Sequence, residues 1–85
     1  MNRYGQQAMQ HWQDTMPDQV RELTDPEVFF AQLGEDLEQA IEDLERKLAG
    51  TPPPQETYMQ RVQRLTMARV EAESQILRGM LLTAR

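Results

Sequence analysis

The sequence contains no cysteine, so neither a disulfide nor a thiolate-bound zinc ion can support its fold. Its apolar runs span only a few residues each, whereas a membrane-spanning helix needs roughly 20. The first residues also lack the apolar segment of a secretory signal. These absences favour a protein without a membrane segment in a reducing compartment, and we expect it in the cytoplasm.

Motifs that carry known chemistry are missing as well. The single histidine, His11, is not part of an HExxH pattern, so the sequence offers no zinc site. It has no phosphate-binding glycine loop, dinucleotide fingerprint or nucleophile elbow. The adjacent carboxylates Glu42 and Asp43 have no nucleophile or perturbing neighbour nearby in the sequence. We therefore expect a protein that is not an enzyme and binds no cofactor.

The chain is short, with 85 residues. A chain of this size buries only about 60–65% of the surface that its unfolded form exposes, so its core is thin. We expect residues 1–85 to form one small helical domain, only marginally stable as a lone monomer.

Prolines and a glycine divide the chain into helical segments. Before Pro17, apolar residues recur at helical spacing, namely Tyr4, Ala8, Trp12 and Met16. This spacing predicts a first helix over about 4–16, and 18–23 could add one more turn. Gly50 and the three prolines after it stop any helix, so 50–55 is predicted to be a turn.

A second helix is predicted over 26–49. Thr24 or Asp25 can cap its first turn, where Pro26 fits well. Six apolar residues then follow in steps of three and four: Phe30, Leu33, Leu37, Ile41, Leu44 and Leu48. At about 100° per residue they form one narrow stripe, which is typical of a helix packed on one side.

A third helix is predicted over about 56–83. Its apolar stripe comprises Tyr58, Met59, Val62, Leu65, Ile76, Leu77 and Met80. Because a short stiff loop joins the two long helices, we expect them to pack antiparallel. The predicted fold is all-α: a helical hairpin with a short N-terminal helix, which forms a helical bundle on dimerisation.

Negative charge is concentrated in the second helix. The net charge of the chain is −5, and residues 25–50 hold eight acids against Arg46 and Lys47, which gives −6. The candidate acidic face comprises Glu35, Glu38, Glu42 and Glu45. The spacing places these acids on the flanks and back of the helix, which favours an ordinary solvated face. The alternative is a surface that imitates nucleic acid.

Arg69 and Glu73 interrupt the apolar stripe of the third helix, one turn apart. A charged pair there costs desolvation that its own attraction does not always recover. Both side chains could bury their stems and keep their charged ends in water. Alternatively, Arg69 reaches an acid on the second helix or on another subunit and so sets the register of a helical interface.

The end of the chain carries more apolar side chains than one helix face can hold. We take these residues, together with Arg69 and Glu73, as candidates for binding a partner: Ile76, Leu77, Met80, Leu81 and Leu82. A patch of this kind usually marks contact with another chain. The alternative is that the first helix folds across it, with Trp12 and Tyr4 covering the leucines.

Three segments together resemble a known group of proteins: RYGQQAMQHW at 3–12, DPEVFFAQLGE at 25–35 and RVQRLTMAR at 61–69. The pattern RYGxxAxxHW … DPxxFFxxLGE resembles short helical proteins of actinobacterial phages, prophages and integrative elements. The resemblance implies an accessory protein of a mobile element that acts by binding. It assigns no role to any single residue.

The sequence leaves two functional hypotheses open. The first is a helical protein–protein interaction module that binds a protein partner and also forms a homo-oligomer. The second is an acidic inhibitor of a host nucleic-acid enzyme or defence complex. Direct nucleic-acid binding through the arginines is disfavoured, because the surrounding acids repel phosphates. Nothing in the pattern indicates a membrane partner.

Overall fold

A computed structural model describes the backbone of residues 1–83 and the side chains of residues 1–79, and this part of the chain contains helices and no strand. The helices are α1 (Arg3–Thr15), α2 (Pro17–Glu22), α3 (Pro26–Ala49) and α4 (Tyr58–Thr83). The all-α fold predicted from the apolar periodicity is therefore confirmed. No helix in this range is both long and apolar enough to cross a membrane.

Asn2 caps α1, because its side-chain oxygen accepts a hydrogen bond from the backbone N–H of Gly5 at 2.9 Å. The helix ends at Thr15, where the N–H of Met16 bonds to the carbonyl of Trp12. Pro17 then starts the six-residue α2, since a proline at the first helical position has no N–H to leave unpaired.

The observed bounds of α3 are those that the sequence predicts. Asp25 caps the helix by accepting from the N–H of Val28 at 3.3 Å, and Pro26 occupies the first turn. At the other end Gly50 adopts a φ of +64°, and its N–H bonds to the carbonyl of Arg46. Glycine reaches this left-handed region without steric cost, so it ends the helix cleanly.

Helix α4 begins at Tyr58, two residues later than predicted. Its start is a capping box. The N–H of Gln60 donates to Oγ1 of Thr57 at 3.1 Å, and the N–H of Thr57 donates to Oε1 of Gln60 at 3.0 Å. Residues 50–57 form the loop between α3 and α4, slightly longer than the predicted turn.

The core lies where α3 packs against both α1 and α4. Its buried members are Tyr4, Ala8, Phe30, Leu37, Ile41 and Ala72. Among the described side chains, Tyr4, Phe30 and Ile41 are the large ones that are fully buried. The apolar stripe of α3 is thus buried at its centre, whereas Leu48 near the end of the helix remains exposed.

The predicted stripe of α4 is wrong in its first half. Tyr58 and Met59 are largely exposed, and Val62 is exposed as well. The buried residues of α4 are instead Ala68 and Ala72. Small side chains allow the two helix backbones to approach closely, so the larger apolar residues are left beside the contact or outside it.

Glycines allow an equally close contact between α1 and α3. A Cβ atom added to Gly5 would lie 2.5 Å from the carbonyl oxygen of Phe30. One added to Gly34 would lie 2.7 Å from the nitrogen and 2.9 Å from the Cα of Gly5, and it would also meet Oδ1 of Asn2. The two backbones therefore touch where these glycines face each other.

The molecule is elongated. Its radius of gyration is 16.1 Å and its extents are 54 × 21 × 16 Å. A compact chain of this length has a radius of gyration of about 12 Å. The accessible surface of 6137 Å² also exceeds the roughly 5,200 Å² expected for a compact protein of this mass.

Candidate functional site

The most connected polar group of the described chain is the guanidinium of Arg69. From α4 its Nη2 donates to Glu38 on α3 at 3.2 Å and to the hydroxyl of Tyr4 on α1 at 2.9 Å. Its Nη1 reaches Glu45 on α3 at 3.4 Å, and its Nε donates to Glu73 at 3.1 Å. One planar, always charged group thus joins α1, α3 and α4.

A second arginine approaches the same carboxylate from α1. Nη2 of Arg3 lies 2.6 Å from Oε1 of Glu73 and 2.9 Å from the hydroxyl of Tyr4. The Tyr4 hydroxyl in turn donates to Glu73 at 2.9 Å. Six residues form this Arg69 cluster: Arg3, Tyr4, Glu38, Glu45, Arg69 and Glu73. It stabilises the meeting point of three helices through charged hydrogen bonds.

The pKa values in the cluster follow from these contacts. Desolvation raises the pKa of Glu73, but hydrogen bonds from Tyr4 and Arg69 and the positive charges of Arg3 and Arg69 outweigh it. The net pKa of Glu73 is therefore lowered. Desolvation lowers the pKa of Arg69, whereas hydrogen bonds to Glu38 and Glu73 raise it further than that. Both groups stay charged at neutral pH.

The Arg69 cluster decides between the two interpretations of this arginine. The charged end of Arg69 bonds acids of α3, as one of the sequence hypotheses proposes. Glu38 and Glu45 are a heptad apart, and the single guanidinium lies between them. These two members of the predicted acidic face therefore lie half-buried beside α4. A role for Arg69 or Glu73 in binding a partner stays a prediction.

The remaining acidic residues surround the outer side of α3. Glu35 is exposed and Glu42 is half-buried. On α3, the side-chain amide of Gln32 donates to Asp36 at 3.0 Å and that of Gln39 donates to Asp43 at 3.0 Å. The same spacing recurs on α1, where Gln10 donates to Asp14 at 2.9 Å. A glutamine amide orders the carboxylate without cancelling its charge. Asp43 also pairs with Arg46.

The predicted C-terminal patch is described only in part. Ile76 and Leu77 are half-buried and pack against the core cluster that contains Tyr4 and Ala8. Trp12 itself packs against Phe29 and Phe30, and coverage of the patch by α1 stays a prediction. The side chains of Met80, Leu81 and Leu82 lie outside the described residues, so their part in a partner surface stays a prediction.

Trp12 anchors the other end of α1. Its ring centroid lies 5.3 Å from that of Phe29 and 5.4 Å from that of Phe30, and the two phenylalanines are 5.0 Å apart at 90°. Such tilted and edge-to-face pairs are favourable aromatic arrangements. The three rings hold the end of α1 against the start of α3.

Asn2 helps to position the site and was not identified from the sequence. Asn2 caps α1 and also donates from Nδ2 to the carbonyl of Gly34 at 2.9 Å, so it ties the start of α1 to the middle of α3. The asparagine three residues before Gly5 is a recognisable N-cap signal. The bond to Gly34 has no signal in the sequence, because it depends on how the two helices cross.

Another arginine, Arg64, forms a group of hydrogen bonds at the end of the molecule where the 50–57 loop lies. Arg64 donates to both oxygens of Glu56, at 2.6 and 3.2 Å, and to the carbonyl of Ala49 at 2.7 Å. The hydrogen bond from Arg64, together with its charge, lowers the pKa of Glu56 despite desolvation. Arg64 thus attaches the loop and the end of α3 to α4.

Within the described residues, no group of three or more histidine, aspartate or glutamate side chains is placed to hold a metal ion. The acids of the Arg69 cluster are each engaged by arginine or tyrosine. Comparison of the chain with protein-family models, with curated proteins and with solved structures found no match.

Proposed function

We propose that the protein is a non-enzymatic helical interaction module that binds a protein partner. The observation that carries this proposal is the amount of apolar side chain left outside a thin core, above all along α4. Exposed apolar surface of this extent on a small protein usually belongs to an interface.

The architecture of the module is a hairpin of α3 and α4 with α1 laid along one side. The contacts of Arg64 with Ala49, and of Arg69 with Glu45 and Glu38, support an antiparallel arrangement of the two long helices. In this proposal two hairpins associate into a helical bundle. The proposed setting is the cytoplasm of a host cell, where the protein is an accessory product of a phage or another mobile element.

Two measurements test the proposal. Sedimentation equilibrium at low micromolar concentration should show a dimer, and affinity capture from a host lysate should retain a protein at a fixed stoichiometry. A compact monomer that retains no protein in a saturable manner contradicts the module.

The alternative function is that of an acidic inhibitor that occupies a basic groove of a nucleic-acid enzyme or defence complex. The bond between Gln32 and Asp36 favours it, because it orders the aspartate and leaves its charge in place. Binding of this kind weakens steeply with salt.

Glutamine substitutions separate the two functions. Glu35→Gln and Glu42→Gln together should abolish capture if the acidic face is the binding surface. They should leave it unchanged if apolar contact dominates. Capture that persists at 1 M salt argues against the inhibitor.

A further inference from the structure

One side of the first half of α4 carries apolar side chains and no charge. We call it the outer face of α4 and define it by five residues: Met59, Val62, Thr66, Met67 and Val70. Met59 is 71% exposed, Met67 64% and Val70 59%. The uncharged Gln60 and Gln63 border the same shallow depression. Methionines suit such a surface, since their flexible thioethers adapt to irregular contacts.

The arginines of this segment are turned elsewhere. Arg64 is held by Glu56 and the end of α3, and Arg69 is held by the acids of its cluster. Arg61 lies two residues after Met59, which at 100° per residue places it on the opposite side of the helix. A face without cations does not attract phosphates, and it also lacks the basic flanks of helices that lie on membranes.

We infer that the outer face of α4 is the docking site for the same face of a second copy of this chain. This inference rests on the self-association proposed above and specifies its surface. The two α4 helices run antiparallel about a two-fold axis between residues 64 and 65. Met59 then meets Val70 of the second copy, Val62 meets Met67, and Gln63 meets Thr66.

The surface area agrees with this occupant. The chain exposes about 900 Å² more than a compact protein of its mass, whereas each partner in a standard interface buries about 800 Å². The monomer thus has an excess of exposed surface close to what a stable dimer covers.

The charge distribution also favours a second copy. Joining two chains through α4 leaves each α3 on the outside, with three helix spacings of about 8–10 Å between the two acidic helices, or roughly 24–30 Å. At physiological salt the screening length is about 8 Å, so the negative charges of the two copies hardly repel each other. Contact through α3 would instead bring the two −6 segments together.

Two valines of similar exposure provide a matched test. Val70 on the outer face is 59% exposed, and Val28 on α3 is 64% exposed. Val70→Glu should raise the dissociation constant of the dimer about tenfold or more, because a carboxylate would be buried without a partner. Val28→Glu should leave it unchanged. Met67→Glu repeats the test, and circular dichroism checks that each variant keeps its helices.

Cysteine pairs test the orientation, since the chain has no cysteine of its own. A mixture of Gln63→Cys and Thr66→Cys chains should form the mixed disulfide, because bridged Cα atoms must lie within about 7 Å of each other. Gln39→Cys, at an exposed position of α3, is the control and should form no bridge with either of these variants. A parallel pair would instead join Thr66→Cys to itself.

The outcomes separate this inference from the function on which it rests. A wild-type dimer that Val70→Glu does not weaken, or that forms no mixed disulfide, overturns the inference and leaves self-association standing. A wild-type monomer that still captures a partner overturns the second copy as occupant but keeps the module. A monomer that captures nothing overturns both.

Discussion

At the scale of single residues, Arg69 stands out because one guanidinium contacts side chains of three helices. Its guanidinium donates hydrogen bonds to three carboxylates and a phenol. No other side-chain type presents five donors in a fixed plane. The side chain is 28% exposed, so its ion pairs are partly shielded from water. Loss of such a centre leaves like charges facing each other.

We expect Arg69→Met to lower the free energy of unfolding by about 1–3 kcal/mol, because Glu38, Glu45 and Glu73 would then repel each other. Chemical denaturation measures this difference. Arg78→Met is the matched control, since Arg78 is exposed and its one side-chain contact described here is with Ser74. An Arg69→Met protein as stable as the wild type would show that the cluster contributes nothing net.

The second residue-scale prediction concerns acid. An unfolded glutamate binds its proton near pH 4.3, whereas native Glu73 has a lower pKa. Between these two values the unfolded state holds more protons, so the free energy of unfolding falls as the pH falls. The contribution of Glu73 is complete above about pH 5 and is lost as the pH drops through its native pKa.

Glu73→Gln removes this contribution. Denaturation measured from pH 7 to pH 3 should therefore show a shallower loss of stability in the variant than in the wild type. Part of the slope remains, because the pKa of Glu56 is lowered by Arg64 as well. Identical slopes in the two proteins would mean that Glu73 titrates alike in the folded and unfolded chains.

At the scale of the helices, two kinds of small residue set the packing. Gly5 and Gly34 bring α1 onto α3, and Ala68 and Ala72 bring α4 onto α3. Larger apolar side chains then fill the space beside these contacts. The tilt and spacing of the helices therefore depend on where side chains are smallest.

Gly5→Ala tests this directly. The new methyl group would lie 2.5 Å from the backbone oxygen of Phe30, which cannot rotate away, so α1 must shift. We expect a loss of about 1–3 kcal/mol in unfolding free energy, typical of overpacking. At Gly79 an added Cβ meets no described atom within 4 Å, so Gly79→Ala should be neutral or gain about 0.5–1 kcal/mol from helix propensity. Equal stability of the Gly5→Ala protein would place the helices farther apart than described.

The helices were more predictable than the faces that they bury. The bounds of α3 follow from Asp25, Pro26 and Gly50, because capping and chain stiffness act over a few residues. The face of α4 was predicted from its large apolar residues, whereas the chain buries Ala68 and Ala72. Periodicity reveals that a helix has an apolar side, but it does not show which side fits a neighbour most closely.

The candidate site shows the same division. The apolar stripe drew attention to Arg69 and Glu73, since charges stand out there. Tyr4 was expected only as an apolar member of α1, because its hydroxyl finds Glu73 across 69 residues of sequence. Contacts of that range depend on the crossing of α1 with α3 and α4, which no local pattern encodes.

At the scale of the whole molecule, the chain forms an elongated rod. Its largest extent is 54 Å, against 21 and 16 Å in the other directions. Such a shape has little interior for its length, and only three large side chains of residues 1–79 are fully buried. The proposed second copy would therefore add substantially to stability.

If two copies pair as proposed, the melting temperature should rise with protein concentration, because association stabilises only the folded chains. For a dimer of this size we expect about 3–5 °C for each tenfold increase in concentration. Val70→Glu should abolish the dependence, and Val28→Glu should retain it. Calorimetry between about 5 and 500 μM covers a sufficient range, and a constant melting temperature for the wild type speaks against pairing.

The glutamine–aspartate bonds have a consequence for how assembly stops. Gln32 steadies Asp36 on α3, and Gln10 steadies Asp14 on α1, yet neither glutamine neutralises its neighbour. Lysines in place of Gln10 and Gln32 would have put positive charges beside these aspartates. Further chains could then have stacked side by side against a surface of mixed charge. In a pair joined through α4 as proposed, the acidic side of each α3 would instead face outward. We then expect one pair to repel the next, so that growth ends at two chains.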